Sequence, residues 1–100
     1  MLTDGIEREL KMLERHLTVL KGVIKSEPVG IMKLSEEIEM PPHRVRYSLR
    51  VLERAGLIRP SLHGATTTEK TKVFMSELDE NLDRMIEGMK KVREKVIKDR

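Results

Sequence analysis

Residues 29–68 hold two short apolar patterns of helical period followed at once by a hairpin-like run, and this order constrains the fold more than any other feature. The first pattern places Leu34 and Ile38 on one side, with Ser35, a small residue, where a crossing helix would need close approach. The second begins at Pro41-Pro42. Proline fixes φ and lacks the N–H that the first helical turn leaves unpaired, so Pro42 suits the first helical position. Val45, Leu49 and Leu52 then recur at i, i+4 and i+7, and Ala55-Gly56-Leu57 stops the helix, Gly56 being free to turn left-handed and Leu57 to fold back on the last turn. The hairpin is expected as a strand over 57–62, a turn at His63-Gly64 and a return strand over 65–67, with Pro60 on an edge.

With Val45 inward at about 100° per residue, the outer arc of the second helix carries His43, Arg46, Tyr47, Arg50 and Arg54, with Arg44 on one flank. Residues 40–64 contain five arginines against Glu53 alone, a balance of +4, whereas residues 27–39 stand at −3. The two outer segments contribute +1 each, so the net charge of +3 is set by this helix and the hairpin. All five cations are arginine, although lysine is common elsewhere in the chain. The planar guanidinium fork fits phosphate oxygens or the O6/N7 edge of guanine in a way that a lysine ammonium does not, which favours a nucleic-acid partner. A merely solvated helix face usually mixes signs, with acidic partners three or four residues away.

These residues carry a family resemblance. Leu34-Ser35-Glu36-Glu37-Ile38, then Val45, Leu49-Arg50-Val51-Leu52-Glu53 and the stop Ala55-Gly56-Leu57-Ile58 resemble the DNA-binding core of winged-helix transcriptional regulators of the arsenic-repressor-like and multiple-antibiotic-resistance-like kind, and of many small archaeal regulators. Thr68-Glu69-Lys70 resembles the threonine-led start of the helix that follows the wing in such proteins. The resemblance covers roughly the middle half of the chain and is specific for the fold, not for the regulated gene. It implies a mainly α fold: a winged helix-turn-helix with a small β-hairpin wing, flanked by long N- and C-terminal dimerisation helices. It also implies a recognition helix over 42–55 in the major groove of double-stranded DNA, with its neighbour crossing the backbone. The wing, 57–67, would lie on the flanking backbone or minor groove, His63 at its tip and Arg59 at its base as DNA contacts. One departure is plain: Pro41, Arg44 and Arg46 stand where the resemblance leads one to expect serine or threonine.

The chain ends carry the second strong signal. Ile6, Leu10, Leu13, Leu17, Leu20 and Ile24 alternate spacings of four and three, as do Thr71, Met75, Leu78, Leu82, Met85, Met89, Val92 and Val96. That alternation keeps one seam on a supercoiled helix. The first helix is too long for one small domain, so residues 1–12 are expected to extend beyond a DNA-binding domain of 13–70, and 71–100 to form a heptad helix. Thr66 with Glu69 suggests a capping box at its entry, Thr68 being an equally good cap. Ile6, Leu10, Leu78, Leu82, Met85, Met89, Val92 and Val96 are the expected contacts of a symmetric homodimer. A core with so few aromatic side chains gains from such a partner.

Other chemistries find little support. The absence of cysteine removes disulfides and thiolate chemistry. His16, His43 and His63 are scattered without ligand spacing, so no metal is expected. There is no recognisable catalytic constellation and no glycine-rich phosphate loop, so neither an enzyme nor a cofactor is expected. Methionines at heptad positions are compatible with a small-molecule effector, although no residue pattern indicates one. No apolar run approaches a membrane span, and the charged start lacks the apolar core of a signal peptide, so a cytoplasmic protein without membrane contact is expected. The lack of glutamine and the 37% of charged residues match a bias common in thermophile proteins. The alternative to a sequence-specific regulator is a winged-helix module that binds a protein or single-stranded nucleic acid within a larger assembly.

Overall fold

A computed structural model describes residues 1–98. In chain order it contains α1 (Asp4–Ser26), α2 (Ile31–Glu37), α3 (Pro42–Arg54), β1 (Ile58–Ser61), β2 (Gly64–Thr67) and α4 (Glu69–Arg93), the last running into a π-helical turn at Glu94–Lys98. The fold is mainly helical with one antiparallel two-stranded hairpin. The last two positions of the expected C-terminal segment lie outside the described residues.

The core is where α1, α2 and α3 meet the hairpin. Val19, Leu20 and Val23 of α1, Leu34 of α2, Val45 and Leu52 of α3, and Val29, Leu57 and Ile58 are all buried. The close approach of α1 to α2 falls at Gly22 rather than at Ser35: a Cβ on Gly22 would stand 2.6 Å from Leu34 Cδ1. Ser35 does something else, its hydroxyl donating to the carbonyl of Met40 and so bracing the turn between α2 and α3.

The α1 seam is corrected in its direction. Val19, Leu20 and Val23 are buried, Leu13 and Leu17 are half-buried, and Ile24 is exposed. At 100° per residue the core face is centred roughly a quarter turn round from the heptad seam. Leu20 alone serves both. The seam instead looks toward α4, where Leu10, Leu13 and Leu17 line an open groove with Leu82.

The boundaries of α3 follow the sequence. Pro42 takes the first turn. At the other end Leu57 N–H donates to the Leu52 carbonyl and Gly56 N–H to that of Glu53, both at 3.0 Å, with Gly56 at φ +80°. This paired C-terminal motif satisfies two carbonyls and turns Leu57 into the core.

The hairpin differs from expectation by one residue. Ser61 pairs with Gly64, so the turn is Leu62-His63 and Gly64 belongs to the return strand. The cause is Val29, which exchanges two hydrogen bonds with Ala65, at 2.8 and 3.1 Å, from the segment between α1 and α2. Gly64 lies so close to Val29 that a Cβ would meet its backbone at 2.5 Å. Glu27 adds a second tie, its carboxylate accepting from the Thr67 N–H and hydroxyl.

Thr66 remains in β2, paired with Arg59, so it is Thr68 that caps α4, in a box completed by Thr71. The same two hydroxyls donate to the carbonyls of Gly56 and Leu57, clamping the start of α4 to the end of α3. From Asp83 to Lys98 every residue is exposed. Val96 falls in the π-helical turn. Among the described residues no helix is long and apolar enough to cross a membrane.

Candidate functional site

The outer face of α3 is positioned by what its inner face buries. Val45, Ser48 and Leu52 are inside and Leu49 is half-buried, which leaves His43, Arg44, Arg46, Tyr47, Arg50 and Arg54 exposed. Among the described residues no carboxylate lies within ion-pair distance of these four arginines. Glu53 stands three residues from Arg50 on the helix surface but forms no ion pair. The arginines are therefore open to an external anion, and their own repulsion favours acquiring one.

Two flanks of this face have different neighbours. Toward the hairpin, Arg46 and Arg50 border a groove of about 400 Å³ whose apolar wall includes Val29, Leu49, Ile58 and Ala65, with Pro60 on the far side. Toward α1, Tyr47 meets His16, their ring centroids 5.8 Å apart and the planes tilted by 45°. Tyr47 is thus partly a contact between helices, and only its outer half is offered to a ligand.

His16 and Ser48 were not legible as a pair. Ser48 is fully buried, three residues from Val45 and four from Leu52, and its hydroxyl lies 2.8 Å from His16 Nδ1. A serine in an otherwise apolar stripe is the one available signal, because a buried hydroxyl needs a partner. Burial pushes the His16 imidazole below its ordinary value, Arg15 acts in the same direction, and Glu9 opposes them. The ring sits against the middle of α3, between Ser48 and Tyr47.

The hairpin residues divide. Arg59 is engaged: its guanidinium donates to Glu69 at the start of α4, at 3.2 Å. Both partners are exposed, and such pairs exchange readily for a stronger anion. His63 is exposed in the turn beside Leu62, which is 92% exposed. The hairpin end therefore presents one imidazole and one leucine, with the Ser61 hydroxyl turned inward to the Gly64 carbonyl. Among the described residues no three His, Asp or Glu side chains cluster as metal ligands would.

Of the expected association residues, Leu78 and Leu82 are half-buried, whereas Ile6, Leu10, Met85, Met89, Val92 and Val96 are exposed. Ile86, also expected to need a partner, and Ile97 are exposed and add to the apolar surface of this end.

No family model matches the chain, and no curated protein matches it. Among solved structures, a protein of unknown function from Listeria innocua Clip11262 is similar over 86% of this chain and 73% of its own, with a TM-score of 0.59 and 20% sequence identity. At that identity the likeness bears on the fold alone.

Proposed function

We propose that the chain is a winged helix-turn-helix protein that binds double-stranded DNA as a symmetric dimer and regulates transcription. α3 is its recognition helix and the β1–β2 hairpin its wing. The observation that carries this reading is the exposed α3 face: four arginines with no counter-ion among the described residues, beside a hairpin that ends in an exposed turn. An arginine face of this kind neutralises phosphates and, inside a major groove, reaches guanine edges.

In this reading Arg46 and Arg50 approach base edges, while His43, Arg44 and Tyr47 lie near the backbone or a thymine methyl. Arg54 and Arg59 are phosphate contacts, Arg59 exchanging Glu69 for DNA. The exposed apolar residues of α4 and the start of α1 hold two copies together, and two-fold symmetry sets the half-sites about 34 Å apart or a multiple of that spacing. Selection of bound sequences from a random duplex pool tests binding, palindromy and spacing together. Enrichment of a near-palindrome is expected; recovery of no sequence above background overturns the reading.

A second reading is favoured by one observation, the apolar-walled groove between α3 and the hairpin. Such a surface also suits a protein partner. An interaction module of this kind fails to retard random duplex DNA at low salt and micromolar protein, whereas the regulator retards it.

A further inference from the structure

α4 projects apolar side chains that its own protomer does not cover, and the charges beside them indicate what does. Numbering the helix by its heptad spacing, Leu82 and Met89 occupy one core position, and Leu78, Met85 and Val92 the other. The flank next to the second set is Asp79, Ile86 and Arg93; the flank next to the first is Asn81 and Gly88.

Two identical helices can meet in parallel or antiparallel. In the parallel arrangement opposite flanks face each other, so Arg93 comes beside glycine and Ile86 beside asparagine. No pair of opposite charges forms on the α-helical part. In the antiparallel arrangement like flanks face each other. Asp79 then stands beside Arg93 of the partner subunit, twice by symmetry. Ile86 faces the partner's Ile86, and Gly88 faces the partner's Gly88. The core closes in the same register, Leu82 against the partner's Val92 and Met85 against the partner's Met89. The outermost layer sets Leu78 against the partner's Val96 at the π-helical turn.

Among the described residues, the same two charges form no ion pair within the protomer. Asp79 has no basic residue, and Arg93 no acidic one, three or four positions away on α4. Glu87, in contrast, pairs with Lys90 on the outer surface of the helix, at 3.3 Å. Ile86 and Gly88 are both exposed, so the centre of the proposed contact is open in the protomer.

We propose that α4 pairs with α4 of a second copy as an antiparallel coiled coil centred between Ile86 and Gly88, with Asp79 against the partner's Arg93. This rests on the dimeric reading above and assigns its orientation and register. About 18 residues separate the centre from each α4 start, so at 1.5 Å per residue the two starts stand roughly 54 Å apart and the DNA-binding units occupy opposite ends of the coil.

The absence of cysteine in the full chain makes thiol cross-linking a direct test. Full-length Asp79→Cys and Arg93→Cys variants are prepared separately and treated with a short bifunctional maleimide, alone and mixed. The mixture is expected to give a covalent dimer, whereas either variant alone gives none, because like positions lie about 14 residues, or 21 Å, apart. A dimer by sedimentation whose mixed variants fail to cross-link, or whose Asp79→Cys variant cross-links with itself, overturns the antiparallel register and leaves the dimeric reading standing. A monomer in the wild-type chain overturns both. As an independent readout, Asp79→Arg is expected to weaken dimerisation about tenfold, and the exchange Asp79→Arg with Arg93→Asp to restore it. Failure of the exchange to restore it contradicts the pairing.

Discussion

Gly64→Ala is the substitution whose cost the geometry defines best, and Gly56→Ala is its built-in comparison. Both glycines have positive φ, +129° at Gly64 and +80° at Gly56. At Gly56 an added Cβ meets only the flexible Lys70 side chain, at 3.4 Å, so the cost is that of a left-handed backbone, about 1–2 kcal/mol. At Gly64 φ lies outside the ordinary left-handed region, which adds about 1–3 kcal/mol of strain. The Cβ also meets the Val29 backbone at 2.5–2.8 Å, and backbone cannot swing aside as a lysine tip does. Relief requires separating Val29 from Ala65, whose two hydrogen bonds contribute about 1 kcal/mol each. The total is about 3–5 kcal/mol, a large share of the roughly 5–15 kcal/mol that stabilises a domain. Urea denaturation followed by helical circular dichroism reads both variants. Gly64→Ala should lose about 1–4 kcal/mol more than Gly56→Ala, a margin that follows from the backbone clash and the two hydrogen bonds it disturbs. Equal losses would show that the contact between Val29 and the hairpin does not hold the fold as argued.

Three further outcomes are expected. Glu39, in the turn between α2 and α3, has φ +52°, so Glu39→Gly should stabilise by about 1 kcal/mol in the same denaturation assay; a loss of stability contradicts the strain. Because His16 is held below the ordinary imidazole value, the unfolded chain binds the proton more readily: its contribution is complete above about pH 6.5 and declines as pH falls through the folded value. His16→Gln should flatten stability between pH 7 and pH 5 relative to wild type, and an unchanged acid slope refutes the assignment. On a selected duplex, Arg50→Ala should cost about 1–3 kcal/mol of binding and relax one base position; an equal loss on random DNA assigns Arg50 to phosphate alone.

Much of the element order was legible because it depends on local chemistry. Pro42 and Gly56 mark the ends of α3 through backbone geometry that only those residues supply cheaply, and Val45, Leu49 and Leu52 set which side faces in. The hairpin turn falls one residue from its expected place because its register is fixed from outside, by Val29, which is distant from Ala65 along the chain but pairs with it directly in space. The α1 face was misjudged for a related reason. Two apolar stripes run along that helix, and sequence spacing rewards the longer one, although the shorter, built on Val19 and Val23, is the one the core takes. The exposed α3 arginines were legible from helical period, whereas the engagement of Arg59 by Glu69 and of Ser48 by His16 depends on how separate elements dock.

The central claim is that the α3 arginine face binds duplex DNA. Fluorescence anisotropy of a labelled random-sequence duplex, titrated with the full chain at low and moderate salt, tests it directly. The account predicts binding at micromolar protein that weakens steeply with salt, and loss of most of that affinity in Arg46→Ala/Arg50→Ala, folded to the same extent. Absence of binding at low salt, or a double variant that binds as wild type does, would contradict it.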